Sequence, residues 1–128
     1  GVPDRMEGSV ISDTVNLSAR LEELTKFYQV PLIISSDTEE TLPKSILRRE
    51  IDEIEVKGKI NKVRIFEVFH WEQKKYRDKK IELSPIFKKA LVFYRKNDLK
   101  NCYKQLKEYE KTLKDDPILN LYFDRCKN

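Results

Sequence analysis

The stretch Arg5-Met-Glu-Gly-Ser-Val-Ile-Ser-Asp-Thr-Val-Asn-Leu-Ser-Ala-Arg-Leu-Glu22 decides the first half of the fold. Apolar residues in and after it follow the i, i+4, i+7, i+11 spacing of one helical face, at Leu17, Leu21, Leu24 and Tyr28. This periodicity predicts an amphipathic helix. Asp13 or Thr14 can cap its first turn, and Gln29-Val30-Pro31 is expected to end it.

Asn16 and Arg20 are one turn apart on this predicted helix, about 100° round from the apolar stripe. A guanidinium stays charged and offers several donors in a planar fork, which suits phosphate oxygens during phosphoryl transfer. An amide can donate and accept, which suits a ribose oxygen. The pair is therefore a candidate nucleotide site, although the same spacing also occurs on solvated helix faces.

Short strands are expected between the helical regions. The apolar run 31–35 is typical of a buried strand, 47–56 alternates in part, and 62–68 is rich in β-branched and aromatic residues. Gly58 supplies a turn, and residues 36–42 are expected to form a short helix. The predicted fold class is α+β, a partial antiparallel sheet with helices and a C-terminal helical hairpin.

The second half is predicted to be helical. One apolar stripe runs from Phe87 to Tyr94, Asn97-Asp98 interrupts it, and a second runs from Leu99 to Leu113. A third follows Pro117, a residue that suits the first turn of a helix. We therefore predict one unit over 1–70, a basic linker over 71–83 that could also start a helix, and a helical tail over 84–128.

Composition limits the function classes. With 128 residues, 39% hydrophobic and 38% charged, the chain has room for one modest domain or two small ones and no membrane-spanning run, so a cytoplasmic protein is expected. Residues 1–70 hold 10 Lys and Arg against 13 Asp and Glu, a net charge of −3. Residues 71–128 hold 16 against 9, a net charge of +7.

Cys102 and Cys126 are expected to be reduced core thiols, and His70 to end a strand.

The segment Glu7 to Glu22 closely resembles the part of class III adenylyl and guanylyl cyclases that carries the family's Asn and Arg. Residues 28–38 resemble the family's next strand and helix start. Val56-Lys-Gly-Lys59 with residues 63–68 resembles its closing hairpin. The matched pieces occur in the family's order, which implies the C-terminal, ferredoxin-like portion of a cyclase domain.

The resemblance implies a role for several residues. It makes Asn16 the residue that orients the ribose and Arg20 the one that stabilises the pentacoordinate phosphorus. Ser9 stands at the base-selecting position and resembles bacterial adenylyl cyclases, which favours ATP over GTP. Lys57 or Lys59 could reach the triphosphate, although two solvated turn lysines are an equal alternative.

The family's reaction uses two metal ions, Mg or Mn, held by a pair of aspartates to which no residue here corresponds. Asp4 and Asp13 do not sit in the expected metal motif. Family members form their sites at the interface of a head-to-tail dimer, so this chain is expected to supply one half-site and to be inactive without the rest. A truncated sheet needs cover, so we predict a homodimer, including an intertwined one.

The tail pattern resembles one tetratricopeptide hairpin, and a single repeat needs something to pack on. We expect that to be the cyclase sheet or a second chain. Two alternatives differ in class. A non-catalytic scaffold built on a cyclase-like remnant is one, and a nucleic-acid binder using the basic second half is the other. Interspersed acids and the lack of a recognised motif argue against nucleic acid, and no membrane contact is expected.

Overall fold

A computed structural model describes residues 12–56 and 60–127, with side chains for all of these except 12–19 and 113. The chain divides into two compact units, Gly1–Trp71 and Glu72–Asn128. Each unit is described by itself.

The first unit combines helices with a small antiparallel sheet, which confirms the predicted α+β class. The three described strands are ordered β1-β3-β2, so the last strand in sequence lies at the centre. The elements are α1 (Ser12–Tyr28), β1 (Ile33–Ser35), α2 (Ser36–Glu39), β2 (Arg48–Ile54) and β3 (Val63–Val68). Helix α1 begins before the predicted caps, so Asp13 and Thr14 lie in its first turn.

The pairing of β2 with β3 is interrupted by a register shift between Glu50 and Asp52. Arg49 pairs with Glu67 before the shift, and Asp52 pairs with Ile65 after it. Because side chains alternate between the two faces of a strand, one extra residue in β2 exchanges its faces. Arg49 and Asp52 therefore share a face, although they are three positions apart in sequence.

The core of the first unit contains apolar side chains from every strand and from the end of α1. Tyr28, Ile33, Ile51 and Ile65 are all buried. The charged side chains of Arg49, Asp52 and Glu67 are buried with them. Leu47 N donates to Nδ1 of His70 at 3.2 Å, two residues after β3 ends, so His70 ties the strand end to the start of β2.

The second unit is helical, with α3 (Lys74–Arg95), α4 (Leu99–Lys107), α5 (Glu110–Leu113) and α6 (Pro117–Cys126). Residues 74–83, which were predicted to be a basic linker or the start of a helix, belong to α3. The helix starts early because Leu83 is buried and continues the apolar stripe, and because Lys80 pairs with Glu72 at 2.8 Å. Pro85 lies inside α3, although proline lacks the N–H of a regular helical residue.

Local caps define the helix ends in this unit. Asn97, at φ +61°, lies in the left-handed region after α3, and Asp98 N donates to Phe93 O at 2.9 Å. The Asp98 side chain then caps α4 by accepting from Asn101 N at 3.2 Å. Asp116 caps α6 by accepting from Ile118 N at 3.1 Å, with Pro117 in the first turn as predicted.

Within the parts of the chain that the structure describes, every helix falls short of the length and apolar character that crossing a bilayer requires.

Candidate functional site

Helix α1 carries both residues of the candidate nucleotide site. Asn16 and Arg20 occupy backbone positions one turn apart, as predicted, and the Asn16 side chain lies outside the described residues. Arg20 is half-buried. Its Nε is shielded from solvent and has no hydrogen-bond partner among residues 12–56 and 60–127. The structure thus brings Arg20 to a position where much of its stem is covered.

The C-terminal end of α1 is fixed by a Schellman-type turn. Gln29 has φ +59°, and Val30 N donates to Thr25 O at 3.1 Å, which is the six-to-one bond of that motif. Val30 is buried, so the chain turns sharply into the strand that follows. The predicted end of the helix at Gln29-Val30-Pro31 is confirmed, and Gln29 occupies a conformation that glycine would adopt more easily.

A buried hydrogen bond ties the last residue of α1 to the sheet. The Tyr28 hydroxyl donates to Oδ2 of Asp52 at 2.6 Å, and Tyr28 is 3% exposed. The other carboxyl oxygen, Oδ1, accepts from Glu53 N at 2.8 Å. Both oxygens of a nearly buried carboxylate are therefore satisfied, which lowers the cost of removing that charge from water.

Next to this contact lies an ion pair between the two longest strands. Arg49 Nε lies 2.8 Å from Oε1 of Glu67, with side-chain exposures of 3% and 0%. The two residues are direct cross-strand partners. A buried pair of this kind depends on register. If β2 slipped by one residue along β3, the two charges would lie on opposite faces of the sheet.

The opposite face of the sheet carries more accessible ion pairs. Arg48 lies 3.0 Å from Glu39 of α2, and Arg64 lies 2.9 Å from Glu50. The hydrogen bond from Arg64 to Glu50 raises the pKa of the Arg64 guanidinium. These charges are partly solvated, so they define the surface of the unit rather than its core.

Three other predicted site residues, Ser9, Lys57 and Lys59, lie outside the described residues, so their predicted roles stay predictions. Within 12–56 and 60–127, no group of three or more His, Cys, Asp and Glu side chains is arranged to hold a metal ion. His70 uses Nδ1 to accept from Leu47 N.

Asp52, Arg49 and Glu67 were not predicted from the sequence, and Tyr28 was predicted only as part of an apolar stripe. One signal was present. Charged residues occur at 48, 49, 50, 52 and 53, inside a segment with strand character, and these cannot all face solvent in a short strand. The sequence does not predict the bulge between Glu50 and Asp52, and this bulge determines which of the charged residues are buried.

Among the described residues of the second unit, the two cysteine thiols are the groups to consider as nucleophiles. Cys102 and Cys126 are free and buried, as predicted, and burial raises the pKa of both thiols. A thiol held protonated is a poor nucleophile. Tyr122 packs edge-on against Phe87 and Tyr94 at ring distances of 5.3 and 5.0 Å. This is a packed aromatic core, and the tetratricopeptide resemblance stays a prediction.

No protein-family profile and no solved structure matches the chain. Two curated proteins do. The chain is 33% identical to "Adenylate cyclase, terminal-differentiation specific" of Dictyostelium discoideum. The alignment is 134 residues long and covers 98% of this chain and 6% of that protein. It is 38% identical to "Adenylate cyclase" of Anabaena cylindrica over 71 residues, which cover 53% of this chain and 14% of that protein.

The chain thus spans a small part of the length of both relatives. Because the Dictyostelium alignment covers nearly all of the chain, it extends over most of both units. The chain contains an adenylate cyclase-related region.

Proposed function

We propose that this chain is the C-terminal part of a class III cyclase catalytic domain that converts ATP to cyclic AMP and pyrophosphate, followed by a helical extension. The observation that carries the proposal is the placement of Arg20 on α1, half-buried and with its Nε lacking a partner among the described residues. Similarity to two proteins named adenylate cyclase supports it.

In this proposal Asn16 orients the ribose, and Arg20 stabilises the charge that builds on the α-phosphate as the ribose 3′-hydroxyl attacks. A fixed guanidinium suits this role because it presents its donors in one plane and does not lose its charge. The buried contact of Tyr28 with the sheet, at the end of α1, would hold the helix and both residues in place during the reaction. Ser9 would contact the base, favouring ATP, and Lys57 or Lys59 would contact the triphosphate.

Mg or Mn, when bound in the complete enzyme, would supply Lewis-acid chemistry at the attacking hydroxyl and the phosphate. We assign their ligands to aspartates outside this chain. Its own residues then bind and orient the nucleotide without holding the metal, and we propose that the chain has no activity by itself. A cytoplasmic location stays a prediction.

The test uses the complete cyclase that contains this segment. Arg20→Ala is expected to lower kcat by at least about a hundredfold, since it removes a group that acts on developing charge. Asn16→Ala is expected to lower kcat as well. Lys26→Ala is the matched control, because Lys26 is exposed on the last turn of the same helix. Full activity of Arg20→Ala would refute the catalytic role and favour the scaffold alternative.

A separate assay addresses the inactivity of the isolated chain. Purified chain is mixed with ATP and manganese, and cyclic AMP is measured. Any turnover that depends on Arg20 would overturn the assignment of the metal ligands to other residues.

We also propose a homodimer. In the described residues β1 and β2 each pair only with β3, so each presents an outer edge to which a further strand could pair. Light scattering at micromolar concentration checks this, and a stable monomer would contradict it.

A further inference from the structure

Tyr28 and Arg20 lie on the same rigid element. They are eight positions apart, which is slightly more than two turns and about 12 Å along a helix axis. Tyr28 is the last residue of α1, and Arg20 lies two turns before it. A shift or rotation of the helix at Tyr28 is therefore carried to Arg20 with little loss.

The position of Tyr28 depends on an unusual feature of β2. Without the register shift at Ile51, Asp52 would point to the face opposite Arg49. The bulge turns the Asp52 carboxylate to the side that the Tyr28 hydroxyl reaches, where the two atoms lie 2.6 Å apart. Bulges often aim a side chain in this manner next to functional sites.

The contact is directional and protected from water. Tyr28 is 3% and Asp52 is 9% exposed, and Asp52 is itself held by the bond from Glu53 N. Apolar packing tolerates small sliding movements, whereas a buried hydrogen bond to a charged group fixes both distance and direction. Arg20 Nε is shielded from solvent and has no partner in the described part of the chain, so no hydrogen bond at that atom competes with the helix in placing the side chain.

We propose that Tyr28 and Asp52 are positioning residues that set the rotation and the axial position of α1, and through it the position of Arg20. The proposal rests on the catalytic role proposed above for Arg20. In this proposal, the bulge in β2 is the structural feature that allows Asp52 to contact Tyr28. Both residues are buried, so in this proposal they act through Arg20 and not by contact with the nucleotide.

The experiment measures kcat and KM for ATP in the complete cyclase. Tyr28→Phe removes only the hydroxyl. It is expected to lower kcat about tenfold and to leave KM within about twofold, because the group it displaces acts in the transition state. Asp52→Asn keeps an acceptor and should lose less activity than Asp52→Ala. Ile54→Val, at a buried residue of β2, is the control for a general loss of packing and should keep kcat.

A double-mutant cycle separates positioning from simple destabilisation. Tyr28→Phe is repeated in an Arg20→Lys background, whose cation is already misplaced. If Tyr28 acts through Arg20, its effect on kcat shrinks to less than about twofold there. An equal effect in both backgrounds would mean that Tyr28 affects kcat independently of Arg20, which would contradict the positioning role.

The failures of the two proposals are distinguishable. If Arg20→Ala abolishes activity while Tyr28→Phe leaves kcat unchanged, the positioning role is wrong and the catalytic role stands. If Arg20→Ala retains full activity, the catalytic role is wrong, and the positioning role with it. The folded fraction of each variant at the assay temperature is measured by circular dichroism, so that kcat is expressed per folded enzyme.

Discussion

Among the described residues, the core of the first unit contains three charged side chains, Arg49, Asp52 and Glu67, whereas the second unit buries mainly aliphatic, aromatic and thiol groups. Asp116 is the buried acid among the described residues of the second unit, and it is a helix cap. The difference follows from the elements. A short sheet needs contacts that specify register, while a helical hairpin is specified by the volume and spacing of its apolar stripes.

The largest expected effect tests whether the first unit depends on charge pairing. Arg49→Met leaves the Glu67 carboxylate buried beside an apolar group, and we expect it to lower the free energy of unfolding by about 4 kcal/mol. Replacing both partners, Arg49→Met with Glu67→Leu, should restore stability to within about 1 kcal/mol of the native value. Urea denaturation followed by circular dichroism measures both.

The surface pair of Arg64 and Glu50 is the control for this experiment. The Arg64 side chain is 52% exposed, and Arg64→Met should cost less than about 1 kcal/mol. If the single and double variants at Arg49 and Glu67 lose equal stability, the pair contributes through its own attraction. The first unit would then depend on charge pairing for its stability as well as for its register.

The second unit should respond to volume instead. Leu106 of α4 is fully buried, and Leu106→Ala is expected to lower the free energy of unfolding by about 3 kcal/mol through the cavity it leaves. Leu106→Met nearly conserves volume and should cost less than about 1.5 kcal/mol. Thermal and urea denaturation compare the two. A similar loss for both variants would show that shape at this position matters more than volume.

The same contrast explains which features could be predicted from sequence. The existence of α1, its end at Gln29 and the break at Asn97-Asp98 follow from local spacing and backbone preference and agree with the structure, although α1 begins before its predicted caps. Helix α3 begins about ten residues before the predicted tail. Its first three turns are mostly charged, and periodicity is visible only where apolar residues form it.

The candidate site was predictable only in part. Asn16 and Arg20 could be placed on one helix from spacing. The Tyr28 to Asp52 contact could not, because it depends on a bulge that shifts the alternation of β2 by one residue. Pairing between strands distant in sequence is a tertiary property, and charged residues in a strand give no local sign of which face will be buried.

The second unit contains two aspartate helix caps that differ in burial, Asp116 and Asp98. Asp116 is 6% exposed, and one of its oxygens accepts from both Ile118 N and Leu119 N. We expect Asp116→Ala to cost about 2 kcal/mol in unfolding free energy, at the upper end for a cap. Asp98 is solvent-accessible, so Asp98→Ala should cost clearly less. Equal losses would show that burial does not strengthen a cap in this unit.

The Asp98 cap should also depend on pH. Hydrogen bonds from the Asn101 side chain and backbone lower the pKa of Asp98 below its ordinary value of 3.8. A carboxyl group with a lowered folded-state pKa contributes stability above its ordinary pKa, and that contribution is lost as pH falls through the lowered value. The stability difference between native protein and Asp98→Ala should therefore be constant from pH 5 to 7 and shrink below about pH 4. Urea titrations across this range measure it.

The smallest expected effect compares the two left-handed residues that end α1 and α3. Gln29 and Asn97 have nearly the same φ, +59° and +61°, but asparagine tolerates this region better than glutamine. Gln29→Gly should therefore raise the free energy of unfolding by about 1 kcal/mol, and Asn97→Gly by about half as much. Lys26→Gly inside α1 is the control and should lower it by about 1 kcal/mol. A larger gain at Asn97 would mean that the Gln29 side chain makes contacts that offset its backbone strain, and the end of α1 would then be held by more than its turn and the Tyr28 hydroxyl.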